Sequence, residues 1–147
     1  IGTVFKNPQI LEYTDRYTII DEDFADEFHR IAFGAIYKIH ELGADKITLE
    51  NISDFLASRP KSAAVFKAQK GEEWLLKVSE TCLPEAFDYY YNRLKKFTLL
   101  RAYDNCGVDV SDIYDADNIL DTKKKQIQDR TIEVGGVRNV ETDCKCC

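Results

Sequence analysis

Apolar residues recur at three- and four-residue steps along most of the chain, and Gly and Pro fall almost entirely where such stretches begin or end. That pattern predicts helices and almost no strand. The clearest stretch follows Asp26, where Phe28, Ile31, Ala35, Ile39 and Leu42 share one face of a helix that Asp26 can cap and Gly43 can end. Before it, Asp21-Glu22-Asp23-Phe24 reads as a tight turn that buries Phe24. Asn7-Pro8 signals a short helix over 8–13, with Asn suited to capping and Pro to the first helical position, and residues 1–5 read as the end of a preceding helix. A further short helix is expected over 49–57, capped by Thr48, with Leu49, Ile52, Phe55 and Leu56 inward. Pro60 forces a break and can open the next helix.

Residues 62–69 and 72–80 read as two modest amphipathic pieces separated by Gly71, with Val65, Phe66, Leu75 and Val78 in the core and Trp74 as a packing anchor. After Pro84 a long helix is expected to project beyond the core. Phe87, Tyr90, Leu94 and Phe97 form its stripe, while Asp88, Asn92, Lys95 and Lys96 fall on the other side. Gly107 can end it. Residues 108–117 read as a polar turn region carrying Ile113 and Tyr114, and 118–132 as a weakly apolar helix that needs a partner. The long helix is the natural partner, which gives an antiparallel helical hairpin. Residues 133–147 show no period and are expected to be disordered. The predicted fold class is therefore all-α: a small helical globule over residues 1–83, a long helix and helical hairpin over 84–132, and a tail over 133–147. The two tempting strands, 17–20 and 47–49, are too short to build a sheet.

Composition narrows the function. With 147 residues and 44% of them hydrophobic, the chain can bury a real core. Its 20 basic and 26 acidic residues leave a formal charge of -6, which disfavours tight, non-specific attraction to phosphate backbones and points instead to protein partners. No apolar run approaches the roughly 20 residues that span a bilayer. The opening Ile1-Gly2-Thr3-Val4-Phe5-Lys6 is unlike a signal peptide, so a cytoplasmic protein is expected. Because it starts on an apolar residue rather than Met, the sequence is expected to begin inside its first helix. Five cysteines are an odd number, and Cys82 and Cys106, isolated on helical stretches, read as reduced thiols.

The search for catalytic chemistry assigns no catalytic, cofactor-binding or metal-ligating residue. Gly135-Gly136 lacks the Lys-Ser/Thr sequel of a phosphate-binding loop. Asp26 stands three positions before His29, but no second copy of that spacing exists to complete a carboxylate metal site. Both histidines fall on one helix, and there is no Gly-x-Ser-x-Gly turn. Cys144-Lys145-Cys146-Cys147 offers three thiols without a fourth ligand, and reads as a solvated tail rather than a closed zinc site. Tyr89-Tyr90-Tyr91 with Lys95-Lys96 could stack on single-stranded bases. Three consecutive tyrosines on a helix point in three directions, however, so at least one is expected in the core. Lys123-Lys124-Lys125 reads as the solvated face of a weak helix.

Four segments, in order, carry a family likeness. Ile1-Gly2-Thr3-Val4-Phe5-Lys6-Asn7-Pro8 is an apolar-Gly opening that runs into an Asn-Pro helix start. Glu22-Asp23-Phe24 leads through Phe28-His29-Arg30 into an apolar helix, the most specific of the four. Ile47-Thr48-Leu49 with Phe55-Leu56 follows, and Tyr90-Tyr91 through Lys95-Lys96 to Leu99-Leu100-Arg101 marks the long helix. Together, over residues 1–130, these resemble the N-terminal domain of bacterial and phage replicative DNA helicases of the DnaB type.

The resemblance implies a helical globule with a hairpin that pairs between subunits, so that this tier of the helicase forms dimers and a hexameric ring and offers a surface to primase or a helicase loader. ATP and Mg would belong to a separate motor domain, through which alone the parent protein would work on DNA. The interface expected from the hairpin comprises Leu99, Leu100, Tyr103, Ile119, Leu120 and Ile127. An alternative is a stand-alone phage or plasmid regulator that mimics this domain and binds primase or helicase.

Overall fold

The computed structural model describes residues 1–110, and the regular elements among them are all helical. They are α1 (Gly2–Lys6), α2 (Glu27–Glu41), α3 (Leu49–Ala57), α4 (Pro60–Ala68), α5 (Gly71–Thr81) and α6 (Phe87–Asn105), with 3-10 turns at Pro8–Glu12, Asp21–Asp23 and Pro84–Ala86. The fold is all-α, as the periodicity predicts. The second arm of the expected hairpin, the expected tail and the Cys144 to Cys147 cluster lie outside the described residues. The chain forms two compact units, one of Ile1–Asp88 and one that begins at Tyr89.

Local chemistry sets most of the helix ends. The Asp26 carboxylate accepts from the amides of Phe28 (2.8 Å) and His29 (3.3 Å), two donors that the first turn of α2 would otherwise leave unsatisfied. At the other end the amide of Gly43 donates to His40 O and that of Ala44 to Ile39 O. With Gly43 at a φ of +98°, this is the Schellman arrangement, which favours glycine because a side chain there is strained. Leu42, expected on the buried face of α2, is instead the capping residue of this turn and stands 82% exposed. Thr48 caps α3 reciprocally: Thr48 Oγ1 accepts from the Asn51 amide, and Asn51 Oδ1 accepts from the Thr48 amide. Asn7, expected to cap by its side chain, makes no such bond, and the helix after it is 3-10 rather than α, with Pro8 in its first turn.

The first unit closes around α2. Its buried residues include Phe28, Ala32, Phe33, Ala35, Ile36 and Ile39, more than a single stripe, because α3, α4 and two 3-10 turns pack on different sides of it. Trp74 of α5 meets the edge of Phe28 at 4.9 Å and lies 5.2 Å from His29, so it anchors α5 to the start of α2 as expected of it. The turn ahead of α2 buries Asp23, at 1% exposure, while Phe24, expected to be buried, is half-exposed and rests against Phe33. Asp23 Oδ2 accepts from the Ile20 amide at 2.9 Å, which holds the turn closed.

Two glycines are placed by packing rather than by torsion. A Cβ on Gly2 would lie 2.3 Å from Val78 O, in the backbone of α5, so only glycine lets α1 seat on that helix. Gly71, read from sequence as a break, is the first residue of α5 and lies under the Phe66 ring, where a Cβ would meet ring carbons at 2.4 Å. The left-handed residue of the α4–α5 turn is its neighbour Lys70, at φ +51°.

The first two residues of α6, Phe87 and Asp88, belong to the first unit. Asp88 accepts from Arg16 Nη2 at 2.7 Å and from the Tyr17 hydroxyl, and the Tyr17 ring meets Phe87 edge-on at 4.9 Å. Its other end repeats the Schellman turn, with Gly107 N–H donating to Asp104 O, Val108 N–H to Tyr103 O, and Gly107 at φ +81°. Of the stripe expected on α6, Tyr90 is 55% exposed, whereas Lys96, expected on the outer side, is buried at 5% with its ammonium over the Phe97 ring. A lysine can do this because its aliphatic stem packs while the charge finds a ring face. None of the described helices is long and apolar enough to cross a membrane.

Two substitutions test this account by urea denaturation. Gly2→Ala is expected to destabilise the chain by about 1–3 kcal/mol, since the added methyl overlaps backbone that cannot rotate away. Asp26→Ala is expected to cost about 1 kcal/mol through loss of the cap, and Asp26→Asn or Asp26→Ser to recover most of it.

Candidate partner-docking surfaces

Of the six residues expected at an interface, the structure describes three, all on α6; Ile119, Leu120 and Ile127 lie outside the described residues. Leu100 is fully buried and packs with Val110, with Phe97, Tyr103 and Val108 around them. Leu99 and Tyr103 are half-buried, so each keeps surface available to another molecule. The Schellman turn brings these residues together: it folds the chain back so that Val108 returns over Tyr103, and Val110 reaches Leu100. Leu100 therefore belongs to the interior of its own unit, while Leu99 and Tyr103 are the described members of the set that a partner can touch.

The single-strand stacking idea meets a mixed geometry. Tyr89 and Tyr90 are 58% and 55% exposed, with ring centroids 5.3 Å apart and nearly perpendicular, so they do not present parallel faces. Lys95 extends over the Tyr91 ring at 5.9 Å, and Lys96 is withdrawn from solvent. The basic groups expected beside the tyrosines are thus engaged with aromatic rings of the same helix.

Among the described residues, cysteine and histidine positions give no cluster. Cys82 is a free thiol, as expected. His29 packs on Trp74, and its Nδ1 lies 3.8 Å from the capping Asp26 carboxylate, which accords with a capping and packing role. His40 Nδ1 faces Ala44 O at 3.1 Å and its Nε2 faces Glu12 at 3.4 Å, which ties the end of α2 to the first 3-10 turn. Among the described residues no group of three or more His, Cys, Asp and Glu side chains is placed to hold a metal ion.

Sequence reasoning missed a groove of about 600 Å³ on the first unit. Its floor is the strip Ile31, Gly34, Ala35 and Lys38 of α2, spaced at i, i+3, i+4 and i+7 and so on one helix face. One wall is the segment carrying Ile20, Asp21 and Glu22; the other is the α3–α4 corner with Phe55, Arg59 and Ser62. Arg59 is held in place there: its guanidinium lies 3.9 Å over the Phe55 ring, and its Nη1 donates to Phe55 O and Ser58 Oγ. Lys38 is held by Glu41 at 2.6 Å, and that hydrogen bond and charge raise the lysine pKa above its ordinary value. The sequence signal for the groove was Gly34, a glycine inside the strongest helix with no turn to make.

Over 126 residues, 86% of its length, the chain is 35% identical to the SPbeta prophage-derived uncharacterized protein YorI of Bacillus subtilis (strain 168). It spans about a quarter, 25%, of that protein's length. No family model matches the chain. No solved structure matches it either.

Shortening Leu100 tests its interior placement. Leu100→Ala is expected to cost about 2–5 kcal/mol in the second unit, because it opens a cavity against Val110. Leu99→Ala is expected to cost clearly less, and hydrogen exchange along α6 distinguishes the two.

Proposed function

We propose that the chain is the N-terminal domain of a DnaB-type replicative DNA helicase, a cytoplasmic assembly and docking domain that helps form the ring and receives primase or a helicase loader. The observation that carries this reading is the ordered run of family-like segments, together with what their residues do in the fold. Gly2 admits α1 to α5, Asp23 closes the turn before α2, and Phe28 packs against Trp74. Leu99, Leu100 and Arg101 stand on the long α6. These are positions where changing the residue changes the architecture, so a shared pattern at them supports a shared architecture.

Two further facts support it. The prophage-derived relative is about four times the length of the matched segment, which leaves room there for a motor that would hold ATP and magnesium. The acidic chain, at a net charge of -6, is better suited to protein partners than to a phosphate backbone. In this reading the DNA is handled by the motor, and the half-buried Leu99 and Tyr103 contribute to contacts between copies.

Light scattering after size exclusion, over a concentration series, tests the assembly role. The chain is expected to show a concentration-dependent dimer or larger species, and Leu99→Glu with Tyr103→Glu to shift it to monomer while the far-ultraviolet circular dichroism stays unchanged. A strict monomer at every concentration would remove the assembly role and favour the stand-alone competitor that binds primase or helicase.

A further inference from the structure

The groove on the first unit contains a residue that the fold itself does not explain. Gly34 lies in the interior of α2, where glycine costs about 1 kcal/mol relative to alanine. The two usual reasons for accepting that cost are absent. Its φ is not in the left-handed region, since the described glycines with positive φ are Gly43 and Gly107. Nor does a neighbour crowd it: a Cβ built there meets nothing within 4 Å, in contrast to Gly2 and Gly71. Gly34 lies on the floor of the groove, so the missing side chain opens the backbone of α2 to whatever enters.

The walls say what could enter. Ile20 (47% exposed) and Tyr37 (39%) present apolar surface at the margin, and Ile31, Ala35 and Phe55 continue it inward. Asp21 stands on one wall and Arg59 on the other. Arg59 has no carboxylate partner among the described residues, although its stacking on Phe55 and its bonds to Phe55 O and Ser58 Oγ already fix its direction. A fixed, exposed guanidinium loses little conformational entropy when it meets a carboxylate. Two copies meeting groove to groove would bring a concave face against a concave face. A ridge fits better.

We propose that this groove binds one amphipathic helix of a partner protein. Apolar side chains of that helix, at i, i+3 and i+4, seat over Gly34 and Phe55. A carboxylate on one flank pairs with Arg59, and a cationic side chain on the other faces Asp21. This is helix-in-groove recognition, with the acidic and basic walls fixing the direction in which the helix lies. The inference rests on the groove alone and stands whether or not the chain belongs to a helicase.

The test uses the full chain and a display library of short helical peptides whose apolar, acidic and basic positions are varied independently. Selected peptides are expected to share an apolar stripe with an acid on one flank and a base on the other. Gly34→Leu is expected to weaken their binding at least tenfold in fluorescence anisotropy. Because open space surrounds that position, Gly34→Leu should keep or raise the melting temperature, so lost binding cannot be blamed on lost fold. Arg59→Glu with Asp21→Lys should reverse the preferred orientation of the charged flanks. Peptides that bind Gly34→Leu as well as the unaltered chain, a selection with no charge pattern, or no selected binder would overturn the proposal. A concentration-dependent self-association that Gly34→Leu abolishes would also overturn it, by assigning the groove to a second copy. The Leu99 and Tyr103 variants, which leave the groove untouched, keep that outcome separate from assembly through α6.

Discussion

The first unit depends on the contact between α1 and α5, in which Gly2 meets Val78 across more than seventy residues of sequence. A five-residue helix has no stability of its own, because nucleating a helix costs more than one turn of hydrogen bonds returns. It persists here because Gly2 lets the backbones of the two helices approach until a methyl group would overlap Val78 O. The same contact brings Val4 and Phe5 into the buried cluster that includes Phe28, Ile36, Ile52 and Leu75. Closing so long a loop costs entropy that grows only slowly with its length, and burying two large apolar side chains offsets a good part of it. Once α5 is held by α1, Trp74 is in position to meet Phe28, and the start of α2 becomes fixed from both sides.

How much of this was legible in the sequence follows from whether a signal was local. Caps and stops were legible because their chemistry lies within a few residues: Asp26 and Thr48 as caps, Gly43 and Gly107 as ends, Pro60 at the start of α4. The buried face of α2 was only partly legible. Periodicity assumes that one side is covered, and α2 is covered from several, so a single stripe leaves out the buried Ala32, Phe33 and Ile36 and takes in the exposed Leu42. Glycine was the least transparent residue. Gly71 reads locally like a break, yet its role is to lie beneath Phe66 while Lys70 takes the left-handed conformation. Nothing within a few positions of a glycine distinguishes a torsional need from a need for space.

The same distinction governs the candidate sites. The expected interface residues on α6 were chosen as apolar positions on one helix, but burial depends on where the chain goes after Gly107. Val110 covers Leu100 only because the Schellman turn sends the chain back along the helix. Helical spacing puts Lys96 opposite the apolar stripe, and the Phe97 ring over which its ammonium lies carries no signal in that spacing. The groove was invisible for a related reason. Its lining comes from three segments spread over residues 19–62, and its most informative residue is the one that contributes no side chain.

Gly34 and Gly2 represent opposite uses of the same absence. At Gly2 the space is filled by the chain itself, and the helix propensity lost is recovered in packing that can be pointed to, atom by atom. At Gly34 the space is left open, and the described residues show no internal gain to set against the loss. A folded chain tolerates such a deficit when the gain is realised elsewhere, in a contact made only when a second molecule arrives. The two proposed docking surfaces are physically different. On α6, apolar side chains are partly spent on the unit's own interior, and what remains to a partner is Leu99 and Tyr103. In the groove, the floor joins Ile31, Ala35 and the open backbone at Gly34 to Lys38, and Arg59 on its wall is already aimed. The groove is therefore the surface where recognition can be strict about both shape and direction, while α6 contributes area without fixing orientation.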